Sequence, residues 1–107
     1  MKNIENWIIK RTGASFKGYL YASYSEIECV FGEPILNPDN HKTDAEWLAN
    51  TPYGIATIYN YKNGKSYLGD KGLETTLITE WHIGGNDDRV APYIKSKINS
   101  QIIRRFS

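Results

Sequence analysis

The chain has 107 residues, 40% of them apolar and 23% charged, with a formal net charge of +1; this suits one domain with one core and excludes wholesale disorder, a collagen-like repeat and a coiled coil. No apolar run reaches the roughly 18 residues of a membrane-spanning helix, and Met1 to Lys10 lacks the apolar centre of a signal peptide. Cys29 is the only cysteine, which excludes an intrachain disulfide and a cysteine-based zinc cluster and points to a reducing cytoplasm.

In chain order, residues 1–12 read as an N-terminal extension of a single domain spanning 1–107. Phe16 to Ala22 alternate, with Phe16, Gly18 and Leu20 against Lys17, Tyr19 and Tyr21, which predicts a first strand. Ser23 and Ser25 each precede a glutamate by three residues (Glu26, Glu28), the spacing of a capping box, and Ile27, Val30 and Phe31 form one apolar stripe. A short helix should therefore end at Phe31 or Gly32, because Gly32 can take a left-handed C′ conformation and Pro34 blocks continuation.

Pro34 to Thr43 has the composition of a loop, and Ala45 to Ala49 reads as a strand. Ile55 to Tyr61 is the clearest strand, β-branched and aromatic throughout, and Asn63-Gly64 is a hairpin signal leading to a short strand at Ser66 to Leu68. Leu77 to Ile83 should be the last strand, with Leu77, Thr79, Trp81 and Ile83 on one face, Ile78, Glu80 and His82 on the other, and Gly84-Gly85 ending it. From Asn86 the pattern turns helical, with Val90, Ile94, Ile98 and Ile102 in one stripe, Asp87 or Asp88 as cap, and Pro92 near the first turn. The order strand, helix, strands, helix predicts an α+β domain: a small antiparallel sheet with helices on one face.

The charge is unevenly spread. Six acidic residues lie between Glu26 and Glu46, whereas Arg89, Lys95, Lys97, Arg104 and Arg105 follow Asp88 without an acid, making 100–107 a basic end. Cations near a helix C-terminus complement its dipole, and the near-neutral domain disfavours nucleic acid as the partner, which stays an alternative. No phosphate-binding glycine loop and no nucleophile beside a base can be assembled, and Cys29 reads as a buried small side chain. Asp39, His41 and Asp44 match no metal-site spacing, so no catalytic residue, metal or cofactor is expected.

Two features point to binding. Gly84, Gly85 and Asn86, read as a strand-to-helix turn, would offer backbone donors to an anion, although Asp87 and Asp88 oppose one and the turn has a purely structural reading. If Ala56 and Ile58 face the helices, Thr57, Tyr59 and Tyr61 face away, joined by Glu80 and His82, and such rings serve as stacking platforms or interface anchors. Trp47, Tyr59, Tyr61, Lys62, Trp81 and His82 would then supply rings and polar tips, with Gly84, Gly85 and Asn86 beside them.

Several motifs extend this reading: Gly18-Tyr19, Phe31-Gly32-Glu33-Pro34, Lys42-Thr43-Asp44-Ala45-Glu46-Trp47, Ala56-Thr57-Ile58-Tyr59-Asn60-Tyr61-Lys62 and Trp81-His82-Ile83-Gly84-Gly85. In these the chain resembles a family of small tailed-bacteriophage and prophage proteins. The resemblance implies an accessory protein acting in the bacterial host cytoplasm and supplies no residue roles. The expectation is a non-enzymatic, dimeric binding protein that antagonises host defence by sequestering a nucleotide signal. The alternatives are an inhibitor docking on a host defence protein, or a nucleic-acid-binding protein using the basic end.

Overall fold

A computed structural model describes residues 14–38 and 41–106, with side chains as far as Gln101. The 1–12 extension, Asp39, and the side chains of Ile102, Arg104 and Arg105 lie outside the described residues. The elements are β1 (Ser15–Tyr21), α1 (Tyr24–Phe31), β2 (Ile35–Leu36), β3 (Ala45–Thr51), β4 (Gly54–Tyr59), α2 (Lys65–Leu68), β5 (Glu80–Gly85) and α3 (Val90–Phe106), with 3-10 turns at Gly69–Lys71 and Thr75–Leu77. The strands form one antiparallel sheet in the order β1-β5-β4-β3-β2. Helices α1 and α3 cover one face, which is the α+β two-layer class expected from the order of elements.

The core lies between sheet and helices. Leu20, Trp47, Ala56, Ile58, Trp81 and Ile83 meet Ile27, Val90, Ile94 and Ile98, all of them buried. At its centre the indoles of Trp47 and Trp81 meet edge to face, 5.2 Å between centroids. Burying two indoles requires partners for two N–H groups, and the residues flanking α1 supply both. Trp81 Nε1 donates to the Ala22 carbonyl before the helix (2.9 Å), and Trp47 Nε1 donates to the Gly32 carbonyl after it (2.7 Å). The sheet thus holds α1 at both ends. Of the two candidate capping boxes, Ser23 with Glu26 forms: Glu26 N–H donates to Ser23 Oγ and Ser23 N–H to Glu26 Oε1. Gly32, at φ 85°, stops the helix.

The structure corrects several local expectations. Asn63-Gly64 does not turn a hairpin into a strand at Ser66 to Leu68; that segment is α2. The reason is tertiary: the buried Asp44 carboxylate accepts from Ser66 N–H (3.0 Å) and caps the first turn, and a Cβ at Gly64 would collide with it. The last strand begins at Glu80 rather than Leu77 because Thr75–Leu77 coil into a 3-10 turn, leaving Leu77 exposed and turning Ile78 into the core. The strand does not stop at Ile83 but runs through Gly84 and ends at Gly85. Both glycines are paired within β5, Gly84 opposite Phe16 and Thr57 and Gly85 opposite Ser15. The turn falls at residues 86–89, where Asp87 accepts from Arg89 N–H, and Pro92 sits in the first turn of α3 as expected. Cys29 is exposed rather than buried, with Gln101 Nε2 3.5 Å from its sulfur.

Candidate functional site

The other face of the sheet is the candidate site. Antiparallel register places Tyr19, His82, Tyr59 and Glu46 in one row across β1, β5, β4 and β3. Because side chains directly opposite one another share a face, all four point away from the helices. The adjacent row is Phe16, Gly84, Thr57 and Leu48, and beyond the first row on the other side Tyr21 lies opposite Glu80. Phe16 belongs to this face by virtue of a register slip between Phe16 and Gly18. That bulge breaks the alternation that would have set Phe16 with Leu20 in the core.

His82 is the hub of the face. Its ring lies 4.9 Å from Phe16, 5.1 Å from Tyr19, 5.2 Å from Tyr61 and 5.4 Å from Tyr59, measured between centroids. Tyr19 in turn stacks with Tyr21 at 6.2 Å. Phe16, Tyr19, Tyr21 and Tyr61 are all exposed, so the rings form a continuous apolar surface in water. Partial burial holds the His82 pKa below 6.5 against a weaker upward pull from Glu80, which leaves the imidazole neutral at pH 7. Burial, then the nearby Glu46, raises the Tyr59 pKa above its usual 10, so its hydroxyl keeps its proton.

Gly84 opens a gap in its row, and the gap is a pocket of about 250 Å³ lined by Phe16, Thr43, Thr57, Tyr59, Tyr61 and Gly84, with Ala14 and Ser15 at one end. A Cβ at Gly84 would stand 2.9 Å from Thr57 Cγ2 and 3.5 Å from Tyr59 Cε1, so only glycine keeps this floor open. The polar groups are few and deep. Thr57 Oγ1 donates to the buried Glu46 carboxylate at 2.6 Å. Thr43 is 2% exposed, and its Oγ1 has no hydrogen-bond partner among the described residues.

Next to the pocket the chain leaves β4 through a polar corner. Asn60, fully buried, accepts from the Asp44 and Ala45 N–H groups and donates to Asp44 Oδ1 and Asn63 Oδ1. Asn63 Nδ2 donates on to the Glu80 carbonyl. Lys62, at the uncommon φ of 62°, is held by its N–H donating to Lys42 O, and its ammonium lies 5.2 Å from the Tyr61 ring centre and 5.3 Å from that of Tyr67.

The expected site residues thus divide. Tyr59, Tyr61, Lys62, His82 and Gly84 come together on the open face. Trp47 and Trp81 lie in the core on the opposite side of the sheet, and Gly85 is buried beneath Val90, where a Cβ would stand 2.9 Å from Val90 Cγ2. Asn86 is exposed in the turn after β5. Phe16, Tyr19, Thr43 and Thr57 were not anticipated as site residues. Alternation along β4 already pointed Thr57 the right way, whereas the bulge that brings in Phe16 leaves no sequence signal.

Other surfaces offer less. Arg89 is engaged by Asp87 (2.7 Å) and lies over the Tyr53 ring, and Lys97 lies over Tyr93. Asp44 is buried and hydrogen-bonded, His41 stacks near Tyr67, and no cluster of three metal-ligating side chains occurs among the described residues. No helix among them is long and apolar enough to cross a membrane. Comparison of the chain with protein-family models, with curated proteins and with solved structures found no match to any of them.

Proposed function

We propose that the chain is a non-enzymatic binding protein that takes a nucleotide on the open face of its sheet. The observation carrying this reading is the ring of Phe16, Tyr19, Tyr59 and Tyr61 around His82, bordering a pocket whose floor is opened by Gly84. Stacking a base on an aromatic side chain contributes about 1–3 kcal/mol, and every base has a face to offer. Lys62, stacked over Tyr61, is placed to meet a phosphate without intruding between the rings. The resemblance of its motifs to those of small phage proteins suggests the setting: sequestration of a host defence signal in the bacterial cytoplasm. The test is thermal denaturation against a panel of cyclic and linear nucleotides, with small molecules released from protein purified out of infected cells identified in parallel. Binding raises Tm with ligand excess; a flat response to every nucleotide refutes the reading.

A second reading has its own support. The rings continue past the pocket through Tyr19 and Tyr21, the latter 69% exposed, and that breadth suits a protein partner, either a host defence protein or a second copy of the chain. A stoichiometric host partner lost in Tyr21→Ala, or a dimer in sedimentation that dissociates in the same variant, would favour this reading.

A further inference from the structure

Independently of any ligand on the open face, we infer that the free edge of the sheet accepts an extended peptide as an added strand on β1, with an acidic side chain of that peptide held by Lys95. Among the described residues β1 is the outermost strand on its side of the sheet, and β5 occupies only one of its two edges. Ala22 N–H donates to the Thr79 carbonyl on the β5 side (3.1 Å). By alternation the main-chain groups of Leu20 and Gly18 also face β5, and those of Tyr19 and Tyr21 face outward, where no described residue bonds them. Bulges commonly blunt such an edge, but that of β1 lies between Phe16 and Gly18, and Tyr19 to Tyr21 keep regular pairing.

Beside this edge a groove of about 550 Å³ runs between β1 and α3. Leu20 and Ile98 form its buried apolar floor, and Lys95 and Asn99 stand exposed on the helix side. A Cβ at Gly18 would lie 3.9 Å from Lys95 Nζ, so the ammonium hangs over the strand at the one position where no side chain rises to meet it. Lys95 has no acidic partner among the described residues, whereas Lys17 lies 3.4 Å from Asp88. Strand addition draws affinity from main-chain hydrogen bonds and specificity from side chains at alternate positions. Gly18 and Leu20 are two residues apart on the helix-facing side of β1, and that separation sets the spacing on the incoming strand. Its side chain beside Lys95 is acidic, and the next on the same side, over Leu20 and Ile98, is apolar. Charge also argues against a second copy of the chain as the occupant: β1 carries Lys17 and no acid, so two copies paired edge to edge would offer Lys95 no carboxylate from that strand.

The experiment selects binders of the full chain from a displayed library of random peptides and titrates the synthetic consensus peptide into the protein. Enriched peptides should carry Asp or Glu two positions from an aliphatic residue, and the bound peptide should slow amide hydrogen exchange at Tyr19 and Tyr21. Lys95→Glu, at an exposed position outside the core, should weaken the consensus peptide about tenfold or more and prefer the peptide in which lysine replaces the acid. Methylating the peptide nitrogens that donate to β1 should abolish binding. Failure to enrich any peptide, unchanged exchange at Tyr19 and Tyr21 on binding, or equal affinity of the consensus peptide for the wild-type chain and Lys95→Glu each overturns the inference. Protection of the same amides by dimerisation without peptide overturns it in favour of self-pairing. None of these outcomes bears on the nucleotide reading, which the thermal panel tests separately.

Discussion

The buried amide of Asn60 offers a sharp test of how the pocket's polar corner is built. Its side chain uses its full capacity of two acceptor and two donor bonds, at 2.7 and 3.1 Å to the Asp44 and Ala45 N–H groups and at 2.9 and 3.0 Å to Asp44 Oδ1 and Asn63 Oδ1. In Asn60→Ala the half-buried Asn63 can turn to water, but the two N–H groups of buried residues cannot. Each orphaned buried group costs about 1–3 kcal/mol, and Asp44 also loses a partner, so the expected loss is about 3–6 kcal/mol. Against the roughly 5–15 kcal/mol typical of a domain this size, the variant should be marginal. Urea unfolding followed by tryptophan fluorescence reads this loss directly, since Trp47 and Trp81 are both buried. Asn60→Asp, which keeps the acceptors but faces a second carboxylate, should lose stability at pH 7 and recover part of it towards about pH 5 as the pair shares a proton. A loss below about 1 kcal/mol in Asn60→Ala would refute the view that this amide organises the corner.

Other outcomes follow from the same geometry. Gly84→Val should fill the pocket floor and remove nucleotide stabilisation in thermal denaturation, with Gly85→Ala as a comparison that instead presses on Val90 and lowers Tm through the core. Because the His82 pKa is lowered on folding, the unfolded chain binds more protons below about pH 6.5. The His82 contribution is therefore complete above that pH and is lost as pH falls towards the lowered folded value; the Tm decline across this window should be shallower in His82→Gln. Trp81→Ala should cost about 3–5 kcal/mol by emptying the centre of the core, so Tyr59→Ala and Tyr61→Ala, rather than Trp81→Ala, are the variants for separating binding from folding. Lys62→Gln should weaken a nucleoside monophosphate severalfold and leave the nucleoside unchanged, with the difference shrinking at high salt.

What was legible in the chain was whatever is decided within about four residues. Ser23 and Glu26 cap α1 because they are three residues apart, Gly32 stops it, and Val90, Ile94 and Ile98 bury one stripe of α3. Strict alternation along β4 sent Ala56 and Ile58 inward and Thr57 and Tyr59 outward, so half of the open face was readable before any pairing was known. The rest depended on partners far along the chain. Pairing of β1 with β5 brings Tyr19 against His82, and the bulge in β1 turns Phe16 to the same side. Trp81 was drawn into the core because a carbonyl 59 residues away, at Ala22, accepts its indole N–H. Asn63-Gly64 formed no hairpin because Asp44, 22 residues before Ser66, caps a helix there instead. Gly84-Gly85 resembled a turn in isolation, yet between β1 and β4 both glycines remain in the sheet, and the side chain that Gly84 lacks becomes the floor of a pocket. Local spacing determined which elements form and which way most of them face; only long-range hydrogen bonding decided which faces meet and where a pocket opens, because those contacts join residues whose separation carries no periodic signal.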